Sequence, residues 1–199
     1  GGSCWGWPVW RGSHVSGPGS PMCWDPASIC DQWESFGFMK LRCVVSGGQT
    51  GVDRGALDAV REVGTGVVSA GGWCPPGRLS EDGTIPDIYP VIELGHGSYE
   101  ERTLQNVVDS DGTAILSVGD LSGGTRYTAE CCQAHSKPFL LIDMSKVDKN
   151  EAVSQLVNFV QSKQITVLNF AGPRASAWPN AQETAKTVLK TALGVLSKT

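Results

Sequence analysis

From Leu41 onward, short apolar runs alternate with longer stretches in which apolar residues recur every three or four positions. The runs at 43–45, 113–118, 139–143 and 166–170 predict strands, and the periodic stretches at 52–63, 98–108, 126–135, 151–162 and 180–196 predict helices. A short apolar piece, Val67-Val68, and an edge-strand candidate at 89–94 that contains Pro90 lie between the first two helices. Gly64 stands where a helix carboxyl cap belongs, and Ser98 with Glu100 and Glu101 makes a plausible amino cap with acids in the first turn. The unbroken apolar character of Phe139 to Ile142 predicts a strand buried on both faces. Strand and helix alternate throughout, so an α/β domain with a mostly parallel sheet flanked by helices is expected.

Two junctions carry more chemistry than a turn needs. The first strand stops at Gly47 and Gly48, and Gln49, Thr50, Gly51, Asp53 and Arg54 lead into the first helix. The strand at 113–118 passes through Gly123, Gly124 and Thr125 into another helix. A turn of this kind aims free N–H groups and the positive end of a helix at whatever sits over the strand, which favours an anion. Two such turns at the carboxyl ends of neighbouring parallel strands would face one crevice, where open α/β sheets bind ligands. Between them lies a long loop, 71–84, of the length that lids and binding loops have. Its Trp73 reads equally as a surface for a planar ring or as a wedge in the core edge, and its Arg78 could meet an anion. Arg102 and Asn106, four apart on the helix ahead of the second turn, complete the candidate binding set.

Residues 1–38 differ from the rest: five of the seven Trp, much Gly, Ser and Pro, and no periodicity. They are expected to be an irregular arm, with the folded domain spanning 39–199. The arm lacks the pattern of a secretory or transit signal, and with Met39 just ahead of the first strand it is expected to be a non-native addition; a Trp-rich docking arm is the alternative. The net charge of −4 argues against nucleic acid as a partner, and no apolar run reaches the roughly 18 residues a membrane span needs. Cys43, Cys74, Cys131 and Cys132 show no C-x-x-C spacing and no His at zinc-ligand distance, so no metal site is expected and a cytoplasmic setting fits. Cys74, in a polar glycine loop, is the one candidate among the four for a reactive thiol.

The segments 46–54, 71–75, 77–78, 81–83, 101–103, 106–107, 109–111, 123–125 and 171–174, in that order, resemble the molybdenum-carrier family, a YpsA-like branch of the SLOG superfamily of Rossmann-like proteins. The resemblance covers Leu41 to the carboxyl terminus and implies a single Rossmann-like three-layer domain. It implies a carrier of a phosphorylated small molecule, molybdenum cofactor or a nucleotide, and a homo-oligomer, dimer or tetramer, is expected. The superfamily also holds LOG-type nucleoside-monophosphate N-glycosidases. The stretch 122–130 is similar to their phosphate loop, with Glu130 and Arg102 at the catalytic positions, but Ser122, Tyr127 and Thr103 depart from their pattern. A binding or carrier protein is therefore the leading expectation, that hydrolase the alternative and a nucleotide-sensing regulatory module a further one.

Overall fold

The computed structural model describes residues 41–64 and 66–198; the arm expected at 1–38 lies outside the described residues. In chain order the elements are β1 (Cys43–Val45), α1 (Val52–Val63), β2 (Ser69–Gly71), β3 (Trp73–Cys74), a 3-10 turn (Pro76–Arg78), β4 (Leu79–Ser80), β5 (Gly83–Thr84), β6 (Ile92–Glu93), α2 (Tyr99–Val108), β7 (Gly112–Ser117), α3 (Gly123–Ala134), β8 (Phe139–Asp143), α4 (Lys149–Ser162), β9 (Val167–Ala171) and α5 (Ala181–Leu196). Five strands form the main sheet in the order β2-β1-β9-β7-β8, each neighbouring pair parallel.

The last strand of the chain is thus the central one. Counted with β9 first, the order reads 3-2-1-4-5, that of a doubly wound Rossmann sheet. The fold is therefore Rossmann-like with its first strand transferred to the carboxyl end. One expectation changes: β1 and β7 are not neighbours, because β9 lies between them.

Alternation along the strands assigns the two faces. Val44, Ala114, Leu116, Ile142, Leu168 and Phe170 point to one side and join residues of α1, α4 and α5 in the main core. A Cβ on Gly55 would sit 2.8 Å from that of Ala185, so glycine there lets α1 and α5 pack closely. The opposite face, under α2 and α3, holds only small apolar clusters around Val107, Cys131 and Cys132 and around Cys43 and Val45. Thr113, Ser117 and Asn169 are buried there as well. Apolar packing is thin on this side, and that is where a cavity can persist.

Local differences from the sequence expectations have local causes. The loop at 71–84 is built: β3 pairs with β6, and β4 and β5 form a small hairpin. Arg78 organises it by donating to the carbonyls of Ile85, Pro86, Tyr89 and Val91 at 2.8–3.1 Å. The glycine pair at 123–124 is the first turn of α3 rather than a preceding loop, because Ser122 O already accepts from Arg126 N (3.2 Å). β8 ends the sheet and pairs with β7 alone, so its apolar run is only part-buried and Leu141 is exposed. Cys74 is fully buried and its thiol pKa is raised by desolvation, which argues against reactivity there. Among the described residues no helix is long and apolar enough to cross a membrane.

Candidate functional site

A cavity of about 680 Å³ opens at the carboxyl ends of β7 and β9. It occupies the point where the strand order reverses, with β9 and β1 leading away on one side and β7 and β8 on the other. Its walls come from three turns rather than two. The β1–α1 turn supplies Gly47, Gln49 and Asp53, the β7–α3 turn supplies Ser117 and 120–125, and the β9–α5 turn supplies 171–174, Ala177 and Trp178. Helix α2 contributes Arg102 and Asn106 from above.

Two glycines let the β1 and β9 turns meet. Gly51 has φ +79°, and a Cβ there would come 2.5 Å from Pro173 O. A Cβ on Gly172 would lie 2.6 Å from Leu116 O and 2.7 Å from Val52 Cγ2. With these Cβ atoms absent, Val52 N donates to Pro173 O at 3.1 Å and Ser46 Oγ to Phe170 O at 2.7 Å.

Arg102 reaches down from α2 across Gly47 and donates from Nη1 to Asp53 Oδ2 at 2.8 Å, with both side chains largely buried. Burial raises the Asp53 carboxyl above its ordinary range, and the Arg102 guanidinium opposes that rise. Arg102 Nε, although buried, has no partner. Nor does Ser117 Oγ, on a residue 2% exposed at the end of β7. Among the described residues these are the two buried side-chain polar atoms left unsatisfied, and both residues line this cavity. Beside them Gly123, Gly124 and Thr125 form the first turn of α3, where the backbone N–H groups have no acceptor in the described part of the chain. Nothing stands within 4 Å of where a Cβ of Gly123 or Gly124 would be, so the approach is open.

Of the residues singled out from sequence, Gly47, Gln49, Asp53, Arg102, Asn106, Gly123, Gly124 and Thr125 line the cavity. Asn106 is spent structurally, accepting from Trp73 N (2.8 Å) and donating to Trp73 O (3.0 Å). The others face elsewhere. Gly48 packs on Ile85, and Thr50 bonds to Glu81 and to Ala175 N. Arg54 is held by Asp82 (2.6 and 2.8 Å), Ser80 Oγ (2.9 Å) and Gly48 O (3.2 Å), and the donors of Arg78 go to carbonyls. Trp73 donates from its indole to Asp109 at 2.7 Å and packs, as Ile92 and Val167 do, against the buried Cys43 and Val45, the wedge reading. Glu130 is exposed on the outside of α3, paired with Arg126 at 2.8 Å.

Ser117, Asn169 and Trp178 also line the cavity and were not singled out from sequence, and Tyr127, named there only as a departure from the N-glycosidase loop, lines it too. The signal for the first two was present, as polar residues in otherwise apolar strands close to their carboxyl ends. Trp178 sits one turn past the Gly172-Pro173-Arg174 motif, and its N–H donates to Arg174 O at 3.0 Å.

Fold and cavity together define a doubly wound α/β protein, circularly permuted, with a polar crevice at its switch point. The family follows from comparison with known proteins: the chain belongs to the circularly permutated YpsA SLOG family, whose model matches residues 44–193. It is also similar, at 38% identity and a TM-score of 0.74, to a crystal structure described as a putative molybdenum carrier protein from Syntrophus aciditrophicus SB at 1.45 Å resolution. That likeness covers 77% of this chain and 96% of the other. None of the curated proteins compared with the chain matches it.

Proposed function

We propose that the cavity binds a phosphorylated small molecule and that the protein acts as its carrier, with molybdenum cofactor or a nucleotide as cargo. The observation that carries this reading is the pair of buried, unpartnered atoms, Ser117 Oγ and Arg102 Nε, on residues that line one cavity beside the open amino end of α3. An unsatisfied buried donor costs about 1–3 kcal/mol, and an acceptor-rich anion docking here would relieve two of them at once.

Size and composition narrow the cargo. A volume of about 680 Å³ lies within the roughly 300–1,000 Å³ of small-molecule sites. A bare tetrahedral oxyanion displaces only a few waters of about 30 Å³ each and would leave most of that space unfilled. Among the described residues no group of three or more His, Cys, Asp or Glu is placed to hold a metal ion. Molybdenum would therefore arrive chelated by its organic cofactor, with the α3 amino end available to its phosphate and Tyr99, Tyr127 and Trp178 as the aromatic lining residues available to its ring system. The fit of the protein residues to such a group rests on Ser117, Arg102 and the α3 amino end. The N-glycosidase alternative loses support, because its carboxylate, Glu130, stands outside the cavity.

Calorimetric titration with molybdenum cofactor, molybdate and nucleoside monophosphates tests the proposal, alongside mass spectrometry of small molecules that co-purify with the protein. A phosphate-bearing compound should bind, and Ser117→Ala should weaken it by about tenfold, the equivalent of one hydrogen bond to a charged group. No heat with any of these compounds would overturn the reading.

A further inference from the structure

The tip of the β4–β5 hairpin touches two residues that line the cavity, Gln49 and Arg174. Its residue Glu81 is 31 positions or more from everything it touches there. The backbone N–H of Glu81 donates to Gln49 Oε1 at 2.9 Å, and Thr50 N donates to the same oxygen at 3.0 Å. Two donors on Oε1 decide which way that amide faces, so its NH₂ group is the free end, and Gln49 lines the cavity. The Glu81 carboxylate accepts from Thr50 Oγ1, from Ser176 N (3.1 Å) and from Ser176 Oγ (2.5 Å), and it pairs with Arg174 Nε at 3.4 Å. Arg174 also lines the cavity, and its terminal Nη groups have no partner among the described residues.

The hairpin can act as a fixed point because it is itself clamped to α1. Arg54, buried, holds Asp82 with two hydrogen bonds and Ser80 with a third. Partial burial works against the charge on Glu81, but the donors from Ser176, Thr50 and Arg174 outweigh it and keep the carboxyl below its ordinary range. Glu81 is thus a charged, multiply bonded anchor for two cavity donors that come from different turns.

We propose that Glu81 is a positioning residue that presents the Gln49 amide and the Arg174 guanidinium to a second anionic group of the ligand, adjoining the group held by Ser117 and α3. The inference rests on the proposed binding of a phosphorylated ligand and narrows its class to molecules with two anionic groups. A guanidinium fork suits a phosphoryl or carboxylate oxygen pair, and the amide NH₂ adds a donor. The carboxylates of Glu100 and Asp120 also line the cavity, on exposed residues, as does that of Asp53, which is paired with Arg102.

Inorganic phosphate and inorganic pyrophosphate serve as probes that make no assumption about the rest of the ligand. In calorimetric titration of the wild-type protein, pyrophosphate should bind at least tenfold tighter than phosphate. Arg174→Gln should lower pyrophosphate affinity about tenfold and leave phosphate within twofold. Glu81→Gln should move the same ratio in the same direction by a smaller factor, because Gln49 keeps its backbone donor, while Arg174→Lys restores part of it. Ser117→Ala should weaken both probes together. A merely structural role for Glu81 would lower the melting temperature and both affinities in parallel, without changing the ratio. Equal affinities for the two probes in the wild type, or parallel losses in Arg174→Gln, would overturn the inference and leave the phosphate site standing. Absence of binding by either probe would remove both.

Discussion

Gly47→Ala asks whether the Arg102–Asp53 pair depends on the absence of one methyl group. Gly47 is not among the residues with positive φ, so alanine suits its backbone and the effect is steric. The new Cβ would land on the Arg102 guanidinium and 2.9 Å from its Cδ, so the side chain must leave. Asp53, whose side chain is 7% exposed, would keep the long contact from Gln49 N at 3.3 Å and the nearby Ser46 hydroxyl, both weaker than the guanidinium. Breaking a buried pair by removing one partner costs about 3–5 kcal/mol. A flexible arginine recovers part of that from another rotamer, and the carboxyl can take up a proton, so the expected loss is about 2–4 kcal/mol. For a domain of this size that corresponds to a fall in Tm of roughly 6–12 °C. Urea unfolding at pH 7 and pH 5 is the assay. Without its cation the already raised pKa of Asp53 rises further, so the penalty should shrink as pH falls and the neutral acid no longer needs a partner. With Asp53→Asn in the background, Gly47→Ala should add little, since both changes act on one pair. A loss under about 0.5 kcal/mol, or a full loss added on top of Asp53→Asn, would refute the reasoning.

Ser117→Ala should leave unliganded stability unchanged or raise it by up to about 1 kcal/mol, because the hydroxyl it removes is buried and unpaired; thermal melts of ligand-free protein check this. Arg78→Lys should cost about 2–4 kcal/mol in urea unfolding, since an ammonium cannot reach four carbonyls spread over 85–91, and proteolysis should then cut within that loop. Asp82 is held down from 3.8 to about 2, chiefly by hydrogen bonds from Arg54 and Ser80. A depressed carboxyl stabilises the fold above its unfolded value and loses that contribution as pH falls through the folded one. Asp82→Asn should therefore flatten the acid limb of stability between about pH 4 and 2, and an unchanged limb would show that the Arg54 clamp carries no linkage.

Much of the framework was legible in the pattern of residues. The five helices and the four strands at 43–45, 113–118, 139–143 and 166–170 fall where periodicity put them, within a few residues at each end. Ser98 closes a capping box with Glu101 as its position suggested. The glycine turns at 47–51 and 123–125 do border one cavity, and Gln49, Asp53 and Arg102 do face it. The order within the long loop at 71–84 was not legible, because much of it comes from one arginine bonding to carbonyls, which leaves no periodic trace.

Periodicity is a property of the backbone within a few residues, so the sequence by itself determined the kind of each element, the α/β class and the two anion-favouring turns. It did not determine that the last strand enters the middle of the sheet, because strand order depends on contacts such as Ser46 to Phe170, 124 positions apart. That insertion brought Gly172, Arg174 and Trp178 to the cavity. Side-chain direction was likewise decided by tertiary packing. Every guanidinium nitrogen of Arg54 and Arg78 has a partner close by, whereas Arg102 Nε and Ser117 Oγ, on residues that line the cavity, were left without one.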